Sequence, residues 1–545
     1  MLSDCPIKML PHQEEHVKGI WNSIVNKQQF SFVETSQTGL GKTFVILSLL
    51  YSLQKKYGMK AFLVAPSDTS LRNDDGWLAH GKKFGISFTE ATTYSALRGK
   101  SGKVSHNWLT RDPNNKKIWI CTDDFIKLCK KGAFFIFDES HHLKNATSSQ
   151  SHMAAAMVRT AKMYRDTCRV ALVSHTPGES DKHCYNLLQM SGIITRPELV
   201  HHIPFTRDYE YENHGLGQLI RLCLALDPTQ KNNIEDMLHP MSKGRALIIC
   251  KELYQRIIRQ RLSFSMTAPV ETYKIERLNS FLEINAENLA NMEHGVDILS
   301  RAVAYRNGEI GEQAEWDLAG VALGIRAVER AKIPAIARYI VSAYKRNPSK
   351  KFIVSCGSFG VENQYMLQDL VYRNRAREEY ISIFEMLKKE SSVWKNMPND
   401  IINYKLIPLL TNKVYDSQIL NGKVSKERRL EIIREFQAPS NKSWCLIVTP
   451  GLASESISLH DTHGNYPREL LISPTYFFNQ IVQGVGRITR IGTKSDCKIS
   501  LVYAKGIRVE QQILDSMMRK SGSARDLLTE GQHVVLPNEY TTWIE

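Results

Sequence analysis

Short apolar runs rich in β-branched and aromatic residues alternate along this chain with longer segments of helical periodicity. This alternation predicts an α/β fold built on parallel sheets. The predicted strands form two blocks, which suggests two sheet-containing lobes. They are Phe30–Val33, Ala61–Ala65, Ile118–Cys121, Phe134–Phe137 and Val170–Val173 in the first block, and Phe352–Cys356, Leu446–Thr449, Leu470–Ser473 and Ile499–Tyr503 in the second.

Between the two blocks the strand signals fade and helical periodicity takes over, as in Leu247–Leu262 and Trp316–Ile333. The chain of 545 residues is long enough for three or four units of ~150 residues each. We therefore predict four parts. They are a first lobe over 1–204, a mostly helical insertion or bridging domain over 205–333, a second lobe over 334–520 with a smaller insertion near 371–413, and a C-terminal extension over 521–545.

Composition narrows the choice of partner and compartment. There are 71 Lys and Arg residues against 56 Asp and Glu residues, a formal net charge of +15, which favours a polyanionic partner such as nucleic acid. No apolar run approaches the ~18 residues of a membrane span, and no secretory signal is readable, so we expect no membrane association. The ten cysteines contain no C-x-x-C pair, which favours buried thiols in an intracellular, reducing compartment over disulfides or zinc.

The first predicted strand leads into a glycine loop, Glu34–Thr43, and then into a helical pattern. Strand, glycine loop and helix in this order form the context of a phosphate-binding loop. Gly39 and Gly41 would let backbone N–H groups approach phosphate oxygens, and Thr38 is a further expected ATP-binding residue of the loop. Lys42 would reach the β- and γ-phosphates and Thr43 would ligate Mg²⁺, so ATP and Mg²⁺ are the expected cofactors. Ser36 stands where the strict pattern has its first glycine.

An acidic pair follows the fourth predicted strand, in the run Asp138-Glu139-Ser140-His141-His142. The carboxyl edge of a parallel sheet is where ligands bind. Phosphoryl transfer needs a carboxylate on the metal and a group that orients the attacking water. We therefore predict that Asp138 holds the metal and that Glu139 acts as the base.

Near the end of the second block lies an arginine element, Gln483–Arg490. If this segment is helical, Gln483, Arg487 and Arg490 share one face at i, i+4 and i+7. Such a face is suited to a γ-phosphate presented by another domain, because arginine forks stabilise the charge of the transition state.

Together these residues resemble superfamily 2 helicases and translocases, most closely the SWI/SNF-like ATPases. Asp138–Asn145 is similar to that family's D-E-x-H-x-L-K-N, and Gln483–Gly492 is similar to its Q-x-x-G-R-x-x-R-x-G. Leu172–Pro177 resembles motif III with Ser174-His175 in place of Thr-Gly, and Gly451–Leu459 resembles motif V with Ser456 at a usual glycine. The resemblance covers about 10–204 and 351–520. The extension after motif V, from Asp461 to Arg468, looks like divergent members from large DNA viruses and phages.

The resemblance implies two RecA-like lobes, with ATP and Mg²⁺ in their cleft and nucleic acid across both. It implies that Gln13, within Leu10-Pro11-His12-Gln13, reads the adenine. It also implies that His141, Ser174 and Thr176 couple ATP hydrolysis to the action on nucleic acid. No base-reading motif is present, so contacts should go mainly to phosphates. The expected phosphate-contacting residues are Pro66, Ser67, Thr122, Ser355, Thr449 and Ser456.

The leading hypothesis is an ATP-dependent helicase or translocase that moves along duplex DNA, with DNA favoured over RNA. A DExH-type RNA helicase is the second hypothesis, because the Asp-Glu-x-His core permits it. The third is a nucleic-acid-binding subunit of a transcription complex with weak ATPase activity. The helical middle segment is where we expect a protein partner or an additional grip on DNA. The polynucleotide that stimulates ATP turnover would discriminate between these hypotheses.

Overall fold

The structure is a computed structural model of the chain. It describes residues 5–73, 76–98, 107–114, 118–146, 148–194, 250–266, 275–282, 293, 297, 318–357, 361–375, 417–450, 457–504, 508–527 and 543–544. The chain divides into two compact units, Met1–Val270 with Arg519–Val534 and Glu271–Met518 with Val535–Glu545. Most of the middle segment and of the smaller insertion near 371–413 lies outside the described residues, and the predicted four-part division stays a prediction.

The first unit alternates strands with helices, as the apolar runs predict. Its helices are α1 (Pro11–Trp21, extended by a π-helical turn, Asn22–Asn26), α2 (Lys42–Tyr57), α3 (Asp68–Arg72), α4 (Trp77–Lys83), α5 (Tyr94–Arg98), α6 (Asp123–Lys131), α7 (Ser149–Met163) and α8 (Lys182–Met190). Its strands are β1 (Ser31–Glu34), β2 (Lys60–Ala65), β3 (Glu90–Thr93), β4 (Leu109–Arg111), β5 (Trp119–Cys121), β6 (Ala133–Asp138), β7 (Arg169–Val173) and β8 (Ser263–Phe264). Short helical segments cover Ser140–Leu143 and Tyr254–Leu262.

Six of these strands form one sheet in the order β3-β2-β6-β7-β1-β8, and every neighbouring pair is parallel. The central strand β6 is an unbroken apolar run because both faces of a parallel sheet are covered. One face carries an aromatic cluster of Phe62, Phe125 and Phe135, whose ring centroids lie 5.2–6.2 Å apart. In register, Glu34 of β1 and Asp138 of β6 both pair with Val173 of β7. The loops that follow these three strands therefore start at one edge.

The prediction that Ile118–Cys121 is a strand of the parallel block is wrong in its pairing. This run forms β5, which pairs antiparallel with β4 in a separate two-stranded sheet. Because β4 ends at Arg111 and β5 begins at Trp119, the two can pair locally as a hairpin without a crossover helix. The parallel sheet instead gains β3, whose sequence Glu-Ala-Thr-Thr lacks a strong apolar signal.

The second unit has the same kind of architecture. Its helices are α9 (Leu318–Arg346), α10 (Glu362–Arg375), α11 (Lys426–Gln437), α12 (Phe478–Ile488) and the part of α13 (Arg508–Leu527) up to Met518; the rest of α13 is grouped with the first unit. Its strands are β9 (Ile275–Leu282), β10 (Lys351–Ser355), β11 (Ser417–Leu420), β12 (Cys445–Val448), β13 (Arg468–Ile472), β14 (Cys497–Ala504) and β15 (Trp543–Ile544). They form one parallel sheet in the order β11-β12-β10-β13-β14-β9-β15.

Two of the described strands lie in the segment 205–333, which the periodicity predicts to be mostly helical. Strand β8 adds to the edge of the first unit's sheet beside β1, and β9 pairs with β14 over its whole length in the second unit. A pairing partner distant in sequence supplies the backbone hydrogen bonds of both strands, so their state is set by tertiary context and not by local pattern. From Leu318 onward the helical pattern predicted over Trp316–Ile333 forms a helix, α9, which extends to Arg346.

Three further expectations concern the described residues. None of the described helices is long and apolar enough to cross a membrane. The described cysteines are all free thiols. Among the same residues, no three or more His, Cys, Asp or Glu side chains are grouped so that they could hold a metal ion by themselves.

Candidate active site

The glycine loop runs from the end of β1 at Glu34 to the start of α2 at Lys42. Gly39 (φ 90°) and Gly41 (φ 88°) adopt the left-handed backbone conformation, which glycine enters without a steric penalty. At Gly41 a methyl group would also overlap the side-chain nitrogen of Gln13. The loop thus delivers the N-terminus of a sixteen-residue helix to the sheet edge, where backbone N–H groups and the helix dipole favour an anion.

Gln13 holds this loop against the start of α1. Its side-chain oxygen accepts the Leu10 N–H at 3.1 Å, and its side-chain nitrogen donates to the Leu40 carbonyl at 3.0 Å. Both ends of the amide are therefore engaged within the protein. The family role of reading adenine stays a prediction for this residue.

Lys42 and the two threonines lie where the loop pattern predicts them. The Lys42 ammonium donates to the carbonyl of Ser36 at 2.8 Å, across the mouth of the loop. Thr38 lies in the loop and Thr43 in the first turn of α2, and both are half-buried. A phosphate would compete with the Ser36 carbonyl for the lysine, because an anionic acceptor forms the stronger hydrogen bond.

Asp138 ends β6 and is fixed from two sides. The Trp77 indole N–H donates to its carboxylate at 2.8 Å, and the Tyr94 hydroxyl donates to its backbone carbonyl at 2.8 Å. Burial, followed by the charge of the adjacent Glu139, raises the pKa of Asp138 to about 7, whereas Trp77 and the Lys42 charge oppose that rise. A cation beside this carboxylate would stabilise its ionised form. The Asp138 carboxylate and the Thr43 hydroxyl are hard oxygen donors, the kind of ligand that Mg²⁺ takes when phosphates and water complete its coordination shell.

The predicted base and coupling residues meet in one hydrogen-bonded group. Glu139 has a left-handed backbone (φ 48°), which is strained for a residue with a side chain. The His141 Nδ1 atom lies 3.2 Å from the Glu139 carboxylate and 3.2 Å from the Ser174 hydroxyl. The segment after β6 is thereby joined to the segment after β7, where Thr176 is also buried.

His175, one of the departures from the family pattern, contacts the phosphate loop directly. Its Nδ1 atom lies 3.3 Å from the Thr35 carbonyl, and the residue is buried. Burial, then the charge of Lys42, lowers the pKa of His175 to about 4, so the ring is neutral near pH 7. A neutral ring bonded to a carbonyl through Nδ1 must donate that hydrogen bond. The unusual residue in motif III was the available sequence signal, but the contact itself could not be read from it.

Two buried groups next to the loop, the Glu34 carboxylate and the His16 ring, were not predicted from the sequence. The Glu34 carboxylate is fully buried, accepts the Ser36 N–H at 2.9 Å and lies 2.5 Å from the His16 Nε2 atom. His16 projects from α1, so this contact ties a second point of that helix to the end of β1. The only sequence signal was a carboxylate at the end of an apolar strand.

The arginine element of the second unit differs from the prediction at its end. Gln483 and Arg487 lie on α12 and are buried, but the helix ends at Ile488, so Arg490 is beyond it. The Thr489 hydroxyl donates to the Val485 carbonyl, and the Arg490 N–H donates to Thr493, which turns the chain away. The prediction that all three share a helix face is therefore wrong for Arg490.

The Arg490 side chain nevertheless folds back onto the helix. Its Nε atom donates to the Gly486 carbonyl at 3.0 Å and its Nη1 atom to the Ser458 hydroxyl at 2.6 Å. The Leu459 N–H donates to the Arg487 carbonyl at 3.0 Å. The arginine element is thus joined to the residues that end motif V.

The predicted phosphate-contacting residues divide into two groups. The Ser67 and Thr122 hydroxyls cap helices, accepting the N–H groups of Ser70 and Phe125, so both already have structural partners; Pro66 precedes the first of these caps. Ser355 ends β10 and Thr449 directly follows β12, which is the neighbouring parallel strand, so both lie at the carboxyl edge of the second sheet. Ser456 lies outside the described residues.

Comparisons with known proteins bear on the same segments. Residues 6–174 match the family model described as type III restriction enzyme, res subunit. A protein of Acanthamoeba polyphaga mimivirus, "Putative ATP-dependent RNA helicase L364", is 21% identical over 528 residues, which cover 94% of this chain and 82% of that protein. The match therefore extends through both units.

Two solved structures are also similar. The Sulfolobus solfataricus SWI2/SNF2 ATPase core in complex with dsDNA is 14% identical with a TM-score of 0.29, over 92% of this chain and 89% of that one. Mss116p bound to ssRNA and AMP-PNP is 11% identical with a TM-score of 0.39, over 94% of this chain and 78% of that one. Both TM-scores lie below 0.5, so neither similarity indicates whether this chain acts on DNA or on RNA.

The family match covers the loop around Lys42, the pair Asp138–Glu139 and the end of β7, which the structure brings to one sheet edge. The mimivirus protein extends the similarity to the unit that carries the arginine element. Sequence pattern, sheet topology and family match therefore agree on the enzyme class. Over residues 6–174 the chain is similar to the type III restriction enzyme res-subunit family, and over both units it is similar to a protein described as an ATP-dependent RNA helicase, which supports an ATP-hydrolysing enzyme of the helicase-like kind.

Proposed function

We propose that this enzyme hydrolyses ATP in response to nucleic acid and uses the energy to move along duplex DNA. The observation that carries the proposal is the group at one edge of the first sheet, where the loop with Lys42 follows β1, Asp138 ends β6 and Glu139 comes directly after it. These residues supply a phosphate-binding cation, a metal-binding carboxylate and a base, which phosphoryl transfer to water requires.

Each residue then has a definite task. Lys42 exchanges the Ser36 carbonyl for a phosphate oxygen, and the loop glycines orient N–H groups toward the phosphates. The Thr43 hydroxyl and the Asp138 carboxylate would hold Mg²⁺, which neutralises charge on the phosphates when it is bound. Glu139 orients the attacking water and accepts its proton as the bond between the γ-phosphorus and the bridging oxygen breaks. The family resemblance assigns Gln483, Arg487 and Arg490 to the γ-phosphate.

Replacing the lysine and the base tests this assignment. We expect Glu139→Gln to lower nucleic-acid-stimulated ATP turnover by about a hundredfold or more, because a general base is lost. We expect Lys42→Ala to lower it by a similar factor, because the cation that contacts the phosphates is lost. Lys127→Ala is the matched control, because Lys127 is an exposed lysine of the first unit that pairs with Asp124. Unchanged turnover in both active-site variants would refute the proposal.

The choice of track is tested by comparing duplex DNA, single-stranded DNA and RNA at equal nucleotide concentration. We expect duplex DNA to raise turnover most, because the Leu143-Lys144-Asn145 extension and the Arg490-Ile491-Gly492 ending resemble the SWI/SNF side of the superfamily. The alternative is an RNA helicase, which the description of the mimivirus relative favours. Stimulation by RNA and not by DNA would favour that alternative.

A further inference from the structure

Ser36, which replaces the first glycine of the phosphate-loop pattern, is bonded through every polar atom it has. Its N–H donates to Glu34, its carbonyl accepts from Lys42 at 2.8 Å, and its hydroxyl accepts the backbone N–H of Met266 at 2.7 Å. The residue is fully buried. A glycine in this place could make the first two contacts but not the third.

The partner of that hydroxyl belongs to a segment distant in sequence. Met266 follows β8, whose two residues pair with the end of β1. The same segment accepts two more hydrogen bonds from the loop, since the N–H and the hydroxyl of Thr35 both donate to the Phe264 carbonyl, at 2.8 and 3.1 Å. The segment Ser263–Met266 therefore extends the sheet alongside the first two residues of the phosphate loop.

This segment also occupies a particular place in the chain. The first unit's main segment ends at Val270 and the second begins at Glu271. Ser263–Met266 is thus the last described part of the first unit before the chain enters the second. A change at the loop that altered the Ser36 bond would therefore act on the last described segment before that boundary.

We propose that Ser36 is a positioning residue that couples phosphate occupancy of the loop to Ser263–Met266, a link that rests on the proposed ATP site. When a phosphate takes Lys42 from the Ser36 carbonyl, the loop becomes ordered around the anion. The Ser36 hydroxyl then keeps its hydrogen bond with the Met266 N–H for a larger fraction of the time. Binding that narrows the conformations of one segment stabilises the contacts that depend on it.

Hydrogen exchange of the full chain tests this link, with ADP and Mg²⁺ as the probe. In the native sequence, ADP should slow exchange of the peptide that contains Phe264–Met266, whereas adenosine, which has no phosphate, should not. In Ser36→Ala the same peptide should exchange about fivefold faster without ligand, the order of one lost hydrogen bond, and ADP should no longer slow it. Ser36→Gly, which adds no volume, should behave alike.

Ser31→Ala is the matched control, because Ser31 is also a buried serine of β1 and its hydroxyl donates to the Ser191 carbonyl at 2.7 Å. This variant should keep the response of Phe264–Met266 to ADP. ADP affinity is measured separately for each protein. Failure of the native chain to bind ADP would overturn both the proposed function and this link. Binding with no effect on the peptide, or with an equal effect in Ser36→Ala, would overturn the link alone.

Discussion

At the scale of single residues, glycine is required at Gly41 for two separate reasons. Its φ of 88° penalises any side chain, and the Gln13 amide occupies the place where a Cβ would go. Gly58 at the other end of α2 also has a positive φ, 63°, but a Cβ there would meet nothing within 4 Å. A substitution at Gly58 therefore tests the effect of backbone strain alone, whereas one at Gly41 tests strain together with a steric clash against Gln13.

The predicted outcome follows from that contrast. Gly41→Ala should displace Gln13 from Leu40 and lower ADP affinity by about tenfold or more, whereas Gly58→Ala should cost about 1 kcal/mol of stability with unchanged affinity. Isothermal titration with ADP and thermal unfolding of both variants make the comparison. Equal loss of affinity in the two variants would show that helix stability, and not the contact with Gln13, governs the site.

At the scale of elements, some features were readable from sequence and others were not. Apolar runs predict strands β1 and β6, and the glycine loop and the acidic pair come directly after these runs. Lys42 and Asp138 could therefore be placed at a sheet edge from the sequence pattern alone. The end of α12 before Arg490 depends on the Thr489 and Thr493 hydroxyls competing for backbone groups, which periodicity does not report. Strand β9 forms by pairing with β14, which is distant in sequence, and no local sequence signal predicts that pairing.

Helices α9 and α13 are joined by a buried ion pair that offers an energetic test. Lys332 and Glu510 lie 2.6 Å apart and are almost fully buried, and Glu510 also accepts the Ala504 N–H. Lys332→Met should cost about 3–5 kcal/mol, because it leaves a buried carboxylate unpaired, and adding Glu510→Gln should recover part of that loss. Urea unfolding of the full chain measures both.

The exposed pair of α11 provides the control for that test. Arg428 bonds to Glu431 and Glu435 on the surface, and Arg428→Ala should cost less than about 1 kcal/mol. A double variant no more stable than Lys332→Met alone would contradict the view that the unpaired carboxylate causes the loss.

At the scale of the whole molecule, the excess of positive charge was the first indication of a polyanionic partner, and it is built into folded parts. From Asn421 to Lys520, where the arginine element lies, there are 15 Lys and Arg residues against 9 Asp and Glu residues. Some of the positive charge of the second unit is structural, since Arg468, within this range, and Lys351, outside it, are buried and donate to carbonyls within that unit. The net charge therefore overstates the number of cations that can face a phosphate backbone.

Salt dependence of nucleic-acid affinity measures how many cations do so. Each neutralised phosphate on duplex DNA contributes about −0.9 to the slope of log affinity against log salt concentration, because condensed counterions are released. With no base-reading motif in the sequence, contacts to phosphates should dominate, and we expect a linear plot with a slope of about −4 or steeper. Fluorescence anisotropy with labelled duplex DNA between 50 and 300 mM salt gives the slope. ADP titrations over the same range are the control, and they should vary less because one ligand anion releases no condensed atmosphere. A flat response to salt with intact ADP binding would exclude a backbone-tracking mode.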